Sequence, residues 1–372
     1  MVYIIKKRIG EEIYYYLNHS VRVDDKVKTL SYYLGKGPFS QSEIESLVKE
    51  KSQMILLEAE FFKVFSKRSD YKEHHLPSSF INILERLKEI NRIMAPFNKS
   101  YFEKFEENLQ LRYVHGSTAI EGNTMSLRDA QLILEEDTPA GNNLREMYEV
   151  LNYKELFKFI RSYRGDINLK FILKIHELLM KNIDDENAGT LRNIDISISG
   201  TDYDPTPFPL LEDEINNMVD WYNEKKTQMF PIELASNIHQ KFVEIHPFID
   251  GNGRVSRELL NFILIKNNFP RLVIPFDRRR VYLRCIDIGN SGDIVPFIIF
   301  ISGLLIEDSF KPVDIFFEQL KAKLINEHYS SEISKELDNT MSDYKEILSI
   351  IKGMEGRIEN LNINELRKGK WK

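Results

Sequence analysis

The chain begins with a stretch in which β-branched and aromatic residues dominate. The segments VYIIKK, EIYYYLNHSVRV and KVKTLSYYLG are separated by Gly10 and by the pair Asp24-Asp25, which favour turns. This pattern predicts a three-stranded β meander over residues 1–39. A small sheet packed on the body of the protein is the favoured interpretation, and a partner-docking module is the alternative.

From Ser40 onward the apolar residues recur at helical spacing. Ser40 and Glu43 have the spacing of a capping box, and Ser126 with Asp129 indicates a second cap. Further helices are predicted at about residues 79–95, 101–114, 127–136, 143–163, 168–182, 211–225, 231–245, 253–267, 278–289 and 293–306. A charged helical tail follows from about residue 311. The predicted fold class is therefore mainly α.

The helical pattern is interrupted between Gly189 and Pro209. The segment LRNIDISISG alternates isoleucines with polar residues, and Gly200 and further prolines follow it. Alternation of this kind next to turn-forming residues predicts a short strand, placed in a hairpin.

Composition restricts the classes of function. A length of 372 residues exceeds what one core usually supports, so two or three units are expected. No apolar run reaches bilayer length and no signal segment opens the chain, so no membrane partner is expected. The single Cys285 indicates a reducing compartment, and we expect a cytoplasmic location. The formal net charge of -6 argues against bulk nucleic-acid binding.

The stretch HPFIDGNGRVSR, residues 246–257, concentrates chemistry-bearing side chains in a short segment. Pro247 predicts that the preceding helix ends near His246. Apolar residues at four-residue spacing predict that a second helix begins near Asn252. A loop that enters a helix N-terminus is an anion site, because the first backbone N–H groups of the helix are unpaired.

The residue types in this loop suit a phosphorylated ligand. Gly251 and Gly253 would let phosphate oxygens approach the backbone, and Arg254 and Arg257 add charge-assisted hydrogen bonds. Asp250 beside an anion site requires a cation, and Mg²⁺ with carboxylate and phosphate ligands meets that requirement. The imidazole at the start of the stretch is suited to accept a proton near neutral pH. The alternative is a helical corner with solvated arginines.

The same stretch resembles the signature of the Fic family, His-Pro-Phe-x-(Asp/Glu)-Gly-Asn-Gly-Arg-x-x-Arg, and it matches every fixed position. The segment GTLRNIDISISG resembles the family's flap hairpin, and the resemblance covers roughly residues 100–308. It implies a Fic-type helical core over residues 166–308 with a β-hairpin flap. A helical region over residues 40–165 would contain an inhibitory helix at about 101–121, and residues 309–372 would form a C-terminal helical tail.

Fic enzymes typically transfer AMP from ATP to a hydroxyl side chain of a target protein and release pyrophosphate. The resemblance implies that His246 takes the proton from a Ser, Thr or Tyr hydroxyl and that Asp250 holds Mg²⁺. It implies that Arg254 helps to cradle the phosphates and that Arg257 binds the γ-phosphate. The phosphate-cradling turn would consist of Gly251, Asn252 and Gly253.

The resemblance also implies how a target docks. A target segment would add as a strand to the backbone of the flap, which would order its hydroxyl against His246. The flap residues are Asp195, Ile196, Ser197, Ile198, Ser199 and Gly200. The sequence leaves open whether Ile196 and Ile198 clamp the target or pack inward.

The stretch STAIEGN ends a predicted helix. Gly122 suits a C-terminal cap, but Glu121 in the last turn is mildly disfavoured by the helix dipole and requires a specific partner. The stretch resembles the inhibitory motif of the Fic family, (Ser/Thr)-x-x-x-Glu-(Gly/Asn), beginning at Ser117. The resemblance implies that Glu121 pairs with Arg257 and occupies the place of the γ-phosphate.

The sequence therefore predicts an autoinhibited protein adenylyltransferase that uses Mg²⁺ and ATP and whose partner is a protein with a hydroxyl side chain. Self-AMPylation and a homodimer are further expectations from the family. Two alternatives stay open. The chain is a de-AMPylase in which Glu121 aligns a water, or it is a non-enzymatic interaction protein. In the second case the C-terminal INELRKGKWK would belong to a DNA-binding module.

Overall fold

The computed structural model describes residues 2–23, 26–67, 70–141, 143–198, 201, 203–326 and 331–360. The backbone divides into two compact units. Unit 1 consists of Met1–Asp70, Asn82–Lys99 and Pro312–Lys345, and unit 2 consists of Tyr71–Ile81, Ser100–Lys311 and Glu346–Lys372. Among the described helices, none combines the length and the apolar character needed to span a bilayer.

Unit 1 contains the predicted meander. Strands β1 (Val2–Ile9), β2 (Glu12–Val23) and β3 (Lys26–Gly37) pair antiparallel in the order β1-β2-β3. Gly10 joins the first two strands with a positive φ of 64°. Glycine adopts this backbone conformation with little steric strain, because it has no Cβ atom. The inner face of the sheet carries Leu17, which is fully buried. The meander predicted from the β-branched and aromatic pattern is confirmed.

The helices are α1 (Gln41–Ser66), α2 (Ser78–Met94), α3 (Lys99–Ile120), α4 (Leu127–Glu135), α5 (Leu144–Ser162), α6 (Leu169–Met180), α7 (Leu211–Lys225), α8 (Pro231–Ile245), α9 (Asn252–Lys266), α10 (Arg279–Asn290), α11 (Val295–Leu304), α12 (Lys311–Asn326) and α13 (Ser331–Asn360). The mainly α fold class is confirmed. Both predicted caps form, at Ser40 with Glu43 and at Ser126 with Asp129. Helix α11 continues into a π-helical turn over Leu305–Ser309.

Helix α1 covers one face of the meander. Ile44, Ile55 and Ala59 of α1 lie in one buried cluster with Leu17 and with neighbouring apolar residues of β2 and β3. Burial of apolar surface between helix and sheet stabilises both elements, because a small sheet alone does not remove enough apolar area from water.

In unit 2 the centre of the fold is α9. Every residue from Arg254 to Leu264 on this helix is buried, so other elements cover all its sides. Helix α8 precedes it and carries the fully buried Glu233, whose carboxylate accepts hydrogen bonds from the backbone N–H groups of His75 and Leu76. Buried charge is stable here because it is hydrogen-bonded. The pair α8–α9 therefore sets the position of the loop between the two helices.

The strand predicted at Ile194–Ile198 is wrong. The described residues between 190 and 207 contain no regular strand. The side chain of Arg192 donates hydrogen bonds to the carbonyls of Ile194 and Thr206. These carbonyls therefore bond to a side chain instead of to the backbone of a neighbouring strand. Ser199 and Gly200 lie outside the described residues. The described part of the C-terminal tail is helical, as predicted, and its last segment RKGKWK also lies outside them.

Candidate active site

The loop between α8 and α9 is held in a left-handed conformation at both ends. His246 closes α8 with φ 50° and ψ 59°, and Gly251 precedes α9 with φ 81°. The predicted end and start of these helices are confirmed. The side chain of Asn252 returns to the loop, where it donates to the carbonyl of Phe248 at 2.8 Å and accepts from its N–H at 3.0 Å. Because the Asn252 side chain is used within the loop, only its backbone remains to bind a phosphate.

Phe248 and His176 form the support under the loop. Phe248 is fully buried, and its ring stacks on the His176 imidazole with centroids 3.6 Å apart. His176 Nδ1 accepts from the N–H of Gly189 at 3.0 Å, so Nε2 carries the proton and donates to the carbonyl of Asp250 at 3.1 Å. Burial lowers the pKa of His176 to about 4, which keeps the imidazole neutral. No local pattern in the sequence indicates this contact between His176 and the loop.

His246 is oriented for proton transfer. Its Nδ1 lies 3.3 Å from the carbonyl of Val243, and a carbonyl can only accept, so Nδ1 carries the hydrogen and Nε2 presents its lone pair. Burial lowers the pKa of His246, and this effect outweighs the hydrogen bond to Val243, which acts in the opposite direction. The neutral imidazole is the form that accepts a proton.

Arg254 is a buried cation with unused donors. The residue is 1% exposed, and its Nε and Nη1 have no hydrogen-bond partner. Glu149 Oε1 is 3.8 Å from Nη1 and Asp250 Oδ1 is 3.5 Å from Nη2, distances too long for direct hydrogen bonds. A buried guanidinium with orphaned N–H groups beside a helix N-terminus fits an anionic ligand.

Asp250 is ionised and paired. Its Oδ2 accepts from Arg145 Nη2 at 2.6 Å, and its Oδ1 accepts from the N–H of Gly251 at 2.6 Å. Burial alone would raise the pKa of Asp250, but Arg254, the Gly251 N–H and Arg145 together hold it below the ordinary value. The site residue Arg145 was missed by the sequence reasoning.

A divalent cation fits this carboxylate. The Asp250 side chain is 45% exposed, and Mg²⁺ is commonly held by one or two carboxylates together with substrate phosphates. The described residues contain no cluster of three or more His, Cys, Asp or Glu side chains that would hold a metal alone. The donor set therefore suits an ion that arrives with a phosphorylated ligand.

Arg257 is held by the end of α3. Its Nη2 donates to Glu121 Oε1 at 2.7 Å and to the Ser117 carbonyl at 2.8 Å, and its Nε donates to Ser117 Oγ at 3.0 Å. Arg257 is 2% exposed, whereas the Glu121 side chain is 37% exposed. Gly122 follows with φ 106° and ends the helix. The structure thus brings together Ser117, Glu121 and Arg257, which lie far apart in the sequence.

The Glu121 carboxylate lies against the first turn of α9. A Cβ atom built on Gly253 would lie 2.2 Å from Glu121 Oε1 and 3.0 Å from Arg257 Nη1. Only a residue without a side chain allows this approach. The carboxylate therefore occupies the anion position that the helix N-terminus and Arg257 create together.

Comparison with known proteins shows which family this part of the chain is similar to. The Fic/DOC family model matches residues 166–264. This part of the chain is therefore similar to Fic domains. Over 197 residues the chain is 34% identical to the protein adenylyltransferase fic-1 of Caenorhabditis briggsae, which covers 51% of this chain and 38% of that protein. Over 235 residues it is 34% identical to the protein adenylyltransferase Fic of Aedes aegypti, with 61% and 46% covered. The match spans less than half the length of either relative.

Solved structures share the fold of the Fic domain and its surroundings. Fic-1 from C. elegans superimposes with a TM-score of 0.50 at 23% identity, over 76% of this chain and 87% of that chain. A Fic family protein from Desulfovibrio desulfuricans G20 superimposes with a TM-score of 0.56 at 24% identity, over 66% and 77%. At these identities the likeness concerns the fold alone.

Behind Arg257, a buried polar network packs against α9. Arg257 Nη1 donates to the Tyr282 hydroxyl at 3.3 Å, and His239 Nε2 lies 2.9 Å from the same hydroxyl. Burial, followed by the nearby Arg257, lowers the pKa of His239 well below its ordinary value. Tyr153 completes the support, with its hydroxyl 2.9 Å from Ser117 Oγ. Sequence reasoning missed both tyrosines, because nothing in the local pattern distinguishes them from core residues.

The segment predicted to form the flap is tied to the loop between α8 and α9. Arg192 Nε donates to the carbonyl of His246 at 2.9 Å, and its Nη1 donates to that of Ile194 at 2.7 Å. Asp195 Oδ1 accepts from the N–H of Phe208 at 2.9 Å and closes the base of the flap. Among the described flap residues, Ile196 and Ile198 are half-buried and Ser197 is exposed.

Proposed function

We propose that the chain is a protein adenylyltransferase that transfers AMP from Mg-ATP to a hydroxyl side chain of a protein, and that Glu121 represses it. The names of the relatives support the reaction class. The single observation that carries the repression is the 2.7 Å contact between Glu121 and Arg257 at the N-terminus of α9.

The arrangement of the loop supports the following reaction. His246 Nε2 accepts the proton of the target's Ser, Thr or Tyr hydroxyl, and the oxygen forms a bond to the α-phosphorus of ATP. The bond from that phosphorus to the bridging oxygen of the β-phosphate breaks, and pyrophosphate leaves with the electron pair. Backbone N–H groups at the start of α9 and the unpaired donors of Arg254 stabilise the phosphate charge. Asp250 would hold Mg²⁺, which supplies neutralisation of phosphate charge when bound.

Repression is a competition for one anion position. The Glu121 carboxylate neutralises Arg257 and places negative charge where the terminal phosphate of ATP would bind. Removing that carboxylate frees the guanidinium and abolishes the repulsion. Removal of the Glu121 carboxylate is therefore expected to increase AMP transfer.

The variant Glu121→Gly tests both halves of the proposal. We expect it to incorporate more label from α-labelled Mg-ATP into protein than the wild type, and the double variant Glu121→Gly, His246→Ala to incorporate none. Glu136→Gly is the matched control, because Glu136 also follows a helix and pairs with an arginine, Arg128, at the surface. Equal labelling of Glu121→Gly and wild type would refute the repression, and undiminished labelling without His246 would refute the base.

De-AMPylation is the second candidate, and one observation favours it. The Glu121 side chain is partly exposed while it remains bonded to Arg257, so a water at its carboxylate could be activated beside the phosphate site. Protein labelled by Glu121→Gly, purified and then given to the wild type, provides the test. Release of AMP that requires Glu121 would establish this reaction in the same site.

A further inference from the structure

Unit 2 contains a cavity that is separate from the site described above. It has a volume of about 600 Å³ and lies beside α3, α5, the C-terminal end of α9 and the loop that follows α9. Aromatic rings form much of its wall, from Phe157, Tyr163, Phe262 and Phe269. Its size and its aromatic lining are those of a small-molecule site.

The charge of the wall is strongly positive. Four lining residues are basic, namely Arg161, Arg164, Lys266 and Arg271, and one, Glu106, is acidic. Lys266 is paired with Asp166 at 2.9 Å. Within the described part of the chain Arg161 and Arg164 make no ion pair. An excess of guanidinium groups around aromatic rings favours a ligand that is both planar and anionic.

Arg271 is the buried cation of this cavity. It is 9% exposed and lies over the rings of both Tyr113 and Phe157, 4.7 Å from each centroid. Its Nη1 has no hydrogen-bond partner, and the nearest carboxylate oxygen, Glu258 Oε2, is 3.6 Å away. A buried guanidinium nitrogen without an acceptor costs free energy that an anionic ligand would recover.

The contacts of Arg271 lead to α3, the helix that ends directly before Glu121. Glu258 Oε2 accepts from the Tyr113 hydroxyl of α3 at 2.8 Å. The Tyr113 ring packs edge-on against Tyr153, whose hydroxyl bonds Ser117. An anion that draws Arg271 toward the cavity would weaken its hold on Tyr113 and Glu258, and so loosen the last turns of α3.

We propose that this cavity binds a small aromatic anion, a planar ring carrying a phosphate or a similar group, and that Arg271 links its occupancy to release of Glu121 from Arg257. The second part rests on the proposed repression by Glu121. The first part, the binding site itself, does not depend on it.

Calorimetry with 1-naphthyl phosphate tests the site. We expect 1-naphthyl phosphate to bind to the protein. The affinities of 1-naphthol and of inorganic phosphate should be at least about tenfold lower, because the first lacks the phosphate and the second lacks the aromatic ring. Ile265→Asp places an acid in the wall at a position that is 40% exposed and should lower the affinity at least tenfold. Ile350→Asp, at an equally exposed isoleucine outside the cavity, should not change it. No binding at millimolar concentration, or equal affinity in Ile265→Asp, would overturn the site.

The link is tested by ATP affinity, without any transfer reaction. Saturating 1-naphthyl phosphate should tighten ATP binding to the wild type about fivefold or more, and leave ATP binding to Glu121→Gly unchanged. An unchanged affinity in the wild type, or the same change in both proteins, would overturn the link. Failure of AMP transfer would affect neither binding measurement, so the two proposals fail separately.

Discussion

At the scale of single residues, His246 sets the pH dependence of the proposed reaction. Its reactive form is neutral, and burial holds its pKa below the ordinary value. We therefore expect the transfer rate of Glu121→Gly to fall on acidification with a midpoint below about pH 6.5, the ordinary histidine value. The transfer rate measured with α-labelled ATP as a function of pH tests this expectation. His74→Ala is the control, and it should not change the pH at which the rate falls. An apparent pKa above the ordinary histidine value would contradict the assignment of the buried, neutral His246 as the base.

Arg145 competes with a cation for Asp250. The Arg145 guanidinium occupies Oδ2 at 2.6 Å, and an exposed pair of this kind contributes up to about 1 kcal/mol. Arg145→Gln in the Glu121→Gly background should therefore lower the Mg²⁺ concentration for half-maximal transfer by up to about fivefold. Arg128→Gln, at another exposed guanidinium paired with a glutamate, should leave it unchanged. A higher Mg²⁺ requirement would mean that Arg145 helps to bind the nucleotide instead.

The spacing of residues within one segment predicted the candidate site residues at 246–257. It did not predict the residues from other parts of the chain that position them. The glycine turn, the arginines and the imidazole lie in one continuous stretch, so local rules suffice. Arg192 and Arg145 reach this stretch from 54 and 105 positions away. Their role depends on tertiary packing, which no local pattern in a single sequence records.

At the scale of elements, the position of α3 depends on Gly116. A Cβ atom there would lie 2.5 Å from the carbonyl oxygen of Ile274, so Gly116→Ala must push α3 away from that loop. We expect more AMP incorporation than the wild type and a lower melting temperature, because Glu121 moves with the helix. Gly353→Ala is the control, since nothing lies within 4 Å of its Cβ, and alanine should stabilise that helix by up to about 1 kcal/mol. Gly116→Ala with wild-type labelling would argue against a rigid link from α3 to the repression.

Most helices were predictable to within a few residues, because several of their ends are chemically marked. Capping serines begin α1 and α4, and Pro247 limits α8. The flap was not predictable in this way. Its alternating isoleucines have the period of a strand, yet the hydrogen bonds in this segment run to the side chains of Arg192 and Asp195.

At the scale of the whole molecule, every residue assigned to the candidate site belongs to unit 2. Leu17 in unit 1 and Leu259 in unit 2 are both fully buried, so replacing either by alanine should cost about 2–5 kcal/mol of stability. Below the melting temperature, Leu259→Ala should slow transfer by Glu121→Gly because it lies in α9, two residues from Arg257. Leu17→Ala should leave the rate unchanged. Thermal unfolding and labelling of both variants check this, and a rate loss in Leu17→Ala would assign unit 1 a part in the chemistry.

In the proposed reaction, Arg192 has a consequence for substrate discrimination. One guanidinium joins Ile194 and Thr206, on the two arms of the flap, to the carbonyl of His246. A docked segment that displaces either arm therefore also disturbs the peptide that presents the base. Poorly fitting proteins would still associate with the flap, but they would be rejected during turnover. Selectivity among targets should accordingly appear in kcat more than in KM.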